Sequence, residues 1–236
     1  MTANLWVYLS TTPLLWLTIT VVVYVIADRI AQGSGRHPVV NPVLVSVIFI
    51  VAVLWTTSTP YKTYFEGAQF VHFLLGPAIV AIAMPLYRNL ARVKANLVPM
   101  LAALIAGGVT ATVSALAIAA AFGVPHDVLA SIAPKSVTAG VAMGISEGLG
   151  GIPALTAVLV ILTGLIGAVI VTPLMNALGM TDYAARGFAA GLAAHGIGTA
   201  RAFVVDEVAG TFAGIAMGLN AVLTAILVPI ILAWFR

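Results

Sequence analysis

The chain has 236 residues, 62% of them hydrophobic and only 7% charged, with no cysteine and a formal net charge of +3. Its mean hydropathy is +1.15. Soluble domains carry about 25% charged residues, so a soluble domain of useful size is excluded, as are a basic nucleic-acid-binding face, disulfides, thiolate metal sites and cysteine nucleophiles.

A membrane-spanning helix needs about 20 mostly apolar residues. Taken in chain order, the expected spans are 5–27, 39–57, 66–87, 96–122, 128–149, 153–178, 184–205 and 209–235. The first begins in MTANLWVYLSTTPLLW, which lacks a basic n-region and a small-residue cleavage site, and it reads as a span rather than a removable signal. The expected fold is therefore an all-α integral membrane protein, one domain over 1–236, in contact with the lipid bilayer throughout.

Basic residues set the expected orientation. Arg29 and Arg36 lie in the first connection, and Arg88, Arg92 and Lys94 in the third. If every span crosses, both connections share one side, and the positive-inside rule puts that side in the cytoplasm. Lys62 and Arg186 then fall outside.

The third, fifth and seventh spans are interrupted near their middles, by Gly76 and Pro77, by Pro134 and Lys135, and by the run His195 to Thr199, with Gly196 as its expected breaking residue. Broken helices at membrane depth are tolerated only where they face protein or a water-filled cavity. The chain also shows weak internal likeness. Asn41-Pro42 aligns with Ile152-Pro153, Gly107-Gly108 with Gly218, and Pro13 with Pro134. These matches divide the chain into two four-element repeats, 5–122 and 127–236, as in secondary transporters with discontinuous helices.

Lys135 is the most informative residue, an ionisable group within an apolar span, which by default marks function. Pro134 ends one half-helix and Ser136 and Thr138 are placed to cap the next, leaving N–H groups and positive dipole for an anion. Glu147, twelve residues later, lies about 18 Å away on a continuous helix and is expected at the cytoplasmic mouth, in solvation, gating or coupling. In AHGIGTAR, His195 can exchange a proton, Gly198 permits close backbone approach, Thr199 offers a hydroxyl and Arg201 a guanidinium. The bland alternative is a satisfied interior His195 with Arg201 as an end anchor. Asn220, alone in the last span, fits a helix–helix hydrogen bond better than a ligand, and with Glu147 and Arg201 it is a candidate for gating or coupling. No metalloprotease, paired-carboxylate or serine-nucleophile motif is present, so neither an enzyme nor a cofactor is expected.

In order, NPVLV, YKTYFEGA, LLGPAIVAIAMPLY, PKSVT, GGIPALTAV, ARGFAAG and AHGIGTARAF resemble the LrgB/CidB family of antiholin-like bacterial inner-membrane proteins. The C-terminal part of the plastid glycolate/glycerate translocator is similar to the same family. The resemblance implies a bacterial cytoplasmic (inner) membrane location and a small LrgA- or CidA-like membrane partner, with homo-oligomers also compatible. It implies one of two roles: transport of small monocarboxylates such as glycolate, glycerate, pyruvate or lactate, or antiholin-like control of murein hydrolase export and lysis. The buried lysine, the interruptions and the duplication favour a carrier. Its substrate would then meet Lys135, Ser136, Thr138, His195, Gly198 and Thr199.

Overall fold

A computed structural model of the chain describes residues 12–74, 77 and 83–235. Among the described residues it is helical throughout, and it divides into two compact units, Met1–Ala81 and Ile82–Arg236.

In the first unit, Pro13 occupies the start of helix α1 (Pro13–Gly33), where its missing N–H does no harm. Asn41 caps α2 (Pro42–Thr56), its side-chain oxygen accepting from the backbone N–H groups of Val43 and Leu44. Both α2 and α3 (Tyr61–Phe73) pack on α1. Trp16 is fully buried there, with the Tyr64 ring edge-on at 5.8 Å, and Gly67 lies where a Cβ would overlap the Pro13 carbonyl. The first helix extends past the expected end at 27, because Asp28 pairs locally with Gln32 and with Arg36 at 3.2 Å. The interruption expected at Gly76 and Pro77 falls in a stretch that lies mostly outside the described residues.

The second unit contains α4 (Ala83–Arg88), α5 (Leu90–Ala95), α6 (Leu97–Ala121), α7 (His126–Ile132), α8 (Ala139–Gly148), α9 (Pro153–Ala177), α10 (Tyr183–Val205) and α11 (Glu207–Leu232). Among the described residues, five helices are long and apolar enough to cross a membrane by length and composition: α1, α6, α9, α10 and α11 with its terminal turn. Length misleads for α10, whose backbone leaves the helical region at Ala194 (φ −129, ψ 19) and His195 (φ 41, ψ −134).

The packing of α10 on α11 shows what this break does. A Cβ on Gly187 would overlap the Ala209 carbonyl, and one on Gly191 the Ala213 carbonyl, so residues 183–193 ascend in parallel with α11. Beyond the break the order reverses: Gly196 faces Met217, and Gly210 faces the Phe203 ring. Residues 196–205 therefore descend beside both. Each arm has about ten residues, or about 15 Å, half the hydrocarbon thickness of about 30 Å. Helix α10 is a re-entrant hairpin.

Helices α7 and α8 form a second one. Leu129, Ala130 and Ala133 share a core with Leu116, Val228 and Leu232, and Ile145 and Leu149 return to that same cluster. Gly151 lies within 3.0 Å (ideal Cβ) of the backbone at Ala130 and Ser131. The Ser131 hydroxyl accepts from the Ile152 N–H at 2.7 Å, and Thr156 donates to Ser146 at 2.7 Å, stapling the base of α8 to α9. Since α11 runs from Ala209, beside the α10 hairpin, to Val228 and Leu232, beside this one, the two hairpins enter from opposite ends.

These hairpins replace two of the eight crossings expected from the sequence, 128–149 and 184–205. Pro134 has no N–H with which to continue α7, and glycine at 198 lets the returning arm rest against the Ala190 carbonyl. The replacement inverts the ends between them. Arg92 lies 3.9 Å from Asp182, and Arg88 lies 3.9 Å from Glu207. The base of the α10 hairpin, Arg186 included, thus belongs to the basic end and not to the side opposite it. Glu147, exposed in the last turn of α8, lies at the other end; its expected place at the cytoplasmic mouth is not observed.

Candidate functional site

The tips of the two hairpins meet at Asn220, halfway along α11 and 1% exposed. Its side-chain amide donates to the Ser136 carbonyl at 3.4 Å and to the Leu192 carbonyl at 3.1 Å, while its oxygen accepts from Thr224 at 3.3 Å. One acceptor lies in the turn after α7 and the other just before the α10 break. A single amide therefore satisfies two interruptions. Glycine at 108 leaves the space, since a Cβ there would come within 2.8 Å of Leu223 and 3.5 Å of the Asn220 oxygen. The expected helix–helix role of Asn220 is fulfilled in a more specific form, between the two tips.

At the first tip, Pro134, Ser136 and Val137 are buried, while Lys135 and Thr138 are half-buried. The Lys135 ammonium donates to the Ser136 hydroxyl at 3.3 Å. No carboxylate lies within ion-pair distance of it among the described residues. Thr138 is the N-cap of α8, but its hydroxyl makes no capping bond. Capping by Ser136 and Thr138, expected from the sequence, does not occur: Ser136 lies too early in the turn, beside the amine. The first N–H groups of α8 are thus left without a side-chain acceptor, next to a cation.

At the second tip, His195 is 4% exposed and its Nε2 lies 2.9 Å from the Val160 carbonyl. A carbonyl only accepts, so Nε2 carries the proton in this contact. The ring lies over Gly164, where a Cβ would approach it to 2.6 Å, and Gly167 leaves room for Ala194. These two glycines of α9 seat the tip. Thr199 donates to the His195 carbonyl at 2.8 Å and lies 3.9 Å from the Met217 sulfur. Gly198 is covered by the Ala190 carbonyl, and Gly196 has only Met217 nearby, at 3.8 Å. The break is at Ala194 and His195, one residue before the expected Gly196, with His195 at positive φ and its ring tied to α9.

The structure thus brings PKSVT and AHGIGT together, with the two walls differing in kind. Lys135 and the start of α8 offer positive charge and donors, whereas His195, Gly198 and Thr199 are engaged in holding their own tip. Glu147 and Arg201 lie away from the tips, at opposite bases. Sequence reasoning missed the seat at Val160, Gly164 and Gly167. Its only signal is the glycine pair three apart on α9, which by itself reads as close packing.

The family description "LrgB-like family" matches residues 20–234. The chain is 33% identical over 221 residues to a protein named "Holin-like protein CidB" from Staphylococcus epidermidis, covering 94% of this chain and 96% of that one. It is 32% identical over 222 residues to a protein of the same name from Staphylococcus aureus, with 94% and 96% covered. It is 37% identical over 199 residues to "Uncharacterized protein YxaC" from Bacillus subtilis, covering 84% and 86%. No solved structure matches it significantly.

Proposed function

We propose that this chain, which belongs to the LrgB-like family, is a carrier of small monocarboxylates whose substrate binds between the two hairpin tips. One observation carries the reading: a half-buried lysine without an acidic partner among the described residues, at a tip that meets a second tip at mid-depth. Discontinuous helices meeting near the midplane are the usual site architecture of secondary transporters. An ammonium there costs a few kcal/mol, which a bound carboxylate would offset. The N–H groups opening α8 would orient the carboxylate and the Ser136 and Thr138 hydroxyls its neighbouring oxygen. His195 and Thr199 would form the opposite wall by keeping the second tip folded.

With hairpins entering from opposite ends, opening either one exposes the same site to one side, which is what alternating access requires. The positive-inside rule places the end with Arg88, Arg92, Lys94 and Arg186 in the cytoplasm. Glycolate, glycerate, pyruvate and lactate match the small polar site. A small LrgA- or CidA-like protein is the proposed partner, and a bacterial cytoplasmic membrane the proposed location. Covalent catalysis has no place in this reading.

A holin-like role is the second reading, and the names of the staphylococcal relatives favour it over a carrier. The two differ in flux. Purified protein in liposomes, alone and with the partner, is preloaded with unlabelled glycolate or pyruvate and exposed to the radiolabelled acid. A carrier gives saturable counterflow that Lys135→Ala abolishes. Dye leakage or absent flux with both subunits present contradicts the carrier, and undiminished flux in Lys135→Ala removes the lysine from the site.

A further inference from the structure

A groove of ≈500 Å³ runs between α6 and the ascending arm of the α10 hairpin, wholly within the second unit. Its walls are small residues spaced four apart: Pro99, Ala103 and Gly107 on α6, and Ala185, Ala189 and Ala193 on α10. Side chains this short leave the space between the two helices unfilled, above an apolar floor that includes the buried Phe188 and Leu192. Because Arg92 lies beside Asp182, both helices start at the basic end. The groove therefore begins at Asn96 and Asp182 and stops at Gly107 and Ala193. The eleven residues from Asn96 to Gly107 rise about 16 Å, half the hydrocarbon thickness of about 30 Å. That is the depth of one leaflet. A crossing helix would need about twice that length of open face, whereas a single acyl chain needs no more than this.

The mouth carries both signs of charge. Asp182 lines it, and the Arg92 guanidinium lies 3.9 Å from the Asp182 carboxylate, beyond hydrogen-bond distance. The two side chains are 47% (Arg92) and 61% (Asp182) exposed, and an exposed pair of this kind is worth little by itself. A purely anionic head group would set its phosphate against Asp182. A head group that joins a phosphate to a primary ammonium gives each side chain a partner of opposite charge.

We propose that this groove binds one acyl chain of a zwitterionic aminophospholipid, with the ammonium on Asp182 and the phosphate on Arg92. The positive-inside rule makes it a lipid of the cytoplasmic leaflet. The site is separate from the tip site and does not rest on the carrier reading. Asp182 caps α10, accepting from the Ala185 N–H at 2.9 Å, and Leu192 at the far end supplies the carbonyl that Asn220 holds at 3.1 Å. The lipid thus packs along the ascending arm from its base to its tip, and its binding energy adds to the stability of the folded hairpin.

The test uses the full chain, purified in detergent and stripped of lipid. It is melted in mixed micelles titrated with dioleoyl phosphatidylethanolamine, phosphatidylcholine or phosphatidylglycerol. Phosphatidylethanolamine should give a saturable rise in the melting midpoint of about 5 °C, clearly larger than either other lipid gives. Asp182→Asn keeps a capping side chain and should reduce that rise to the phosphatidylcholine level. Ala103→Phe fills the groove and should abolish the rise, while Ala102→Phe, exposed on α6 outside the groove, should retain it. If Ala103→Phe fails to fold, phosphatidylethanolamine carrying a diazirine on its acyl chain reads the site in the wild-type chain, with crosslinks expected within 96–107 and 182–193. No rise, equal rises with the three lipids, a larger rise with phosphatidylglycerol or phosphatidylcholine, a rise that survives Ala103→Phe, or crosslinks confined to other segments overturns the proposal.

Discussion

Replacing Asn220 by alanine should loosen both hairpin tips at once. The substitution removes donors 3.1 Å from the Leu192 carbonyl and 3.4 Å from the Ser136 carbonyl, together with the acceptor for Thr224. The shorter bond is worth about 1 kcal/mol and the longer one less. Interhelical hydrogen bonds within membranes average about 0.6 kcal/mol. Against that, Asn220 is 1% exposed, so both carbonyls are left buried, and each unsatisfied group costs about 1–3 kcal/mol unless water reaches it. The net loss should be about 2–3 kcal/mol, confined to the tips because α11 itself keeps its backbone bonds. The chain contains no cysteine, so Ser136→Cys provides a clean reporter. Its maleimide labelling should accelerate about tenfold or more when Asn220→Ala is added, since 1.4 kcal/mol of easier opening corresponds to a factor of ten. Thr224→Val, which removes only the donor to Asn220, should accelerate it much less. Unchanged labelling and unchanged stability in Asn220→Ala would refute the claim that one amide holds the two tips.

Other substitutions discriminate among the parts. Gly164→Ala forces a methyl to within 2.6 Å of the His195 ring and should cost about 1–3 kcal/mol in detergent unfolding. Gly144→Ala, with open space around it in α8, should be neutral or stabilising by up to about 1 kcal/mol. Lys135→Met should leave the melting midpoint unchanged or raise it, because removing a half-buried charge relieves desolvation; a clear fall would make the lysine structural. His195→Phe should destabilise the second tip by about 1–2 kcal/mol through loss of the Val160 contact, measured by faster hydrogen exchange at residues 192–199.

Composition and interruptions made the membrane class and both tips legible in the sequence. Pro134 announces a helix end by its missing N–H, and the glycines around His195 announce a second break. What the breaks do was not legible. A 23-residue apolar segment has the same hydropathy whether it crosses or doubles back, and the difference lies in which residues of α11 face Gly187, Gly191, Gly196 and Phe203. That single ambiguity exchanged the ends assigned to Glu147 and Arg186. Asn220 was correctly read as a hydrogen-bonding group, but its two partners lie 84 and 28 residues away, beyond the reach of local pattern. The hydroxyls of PKSVT pointed to a cap that did not form: Ser136 lies two residues before the N-cap position, beside the Lys135 amine, and the Thr138 hydroxyl makes no capping bond.

Sidedness tests the opposed hairpins most directly, since the site depends on their entering from different faces. In sealed vesicles, Glu147→Cys and Thr181→Cys mark the bases of the two hairpins and are labelled with an impermeant maleimide added from one side at a time. Opposed re-entrant hairpins, oriented by the positive-inside rule, predict that Glu147→Cys reacts only from outside and Thr181→Cys only from the cytoplasmic side. Eight full crossings predict the reverse for both, and that result, or labelling of both from the same side, would contradict the account.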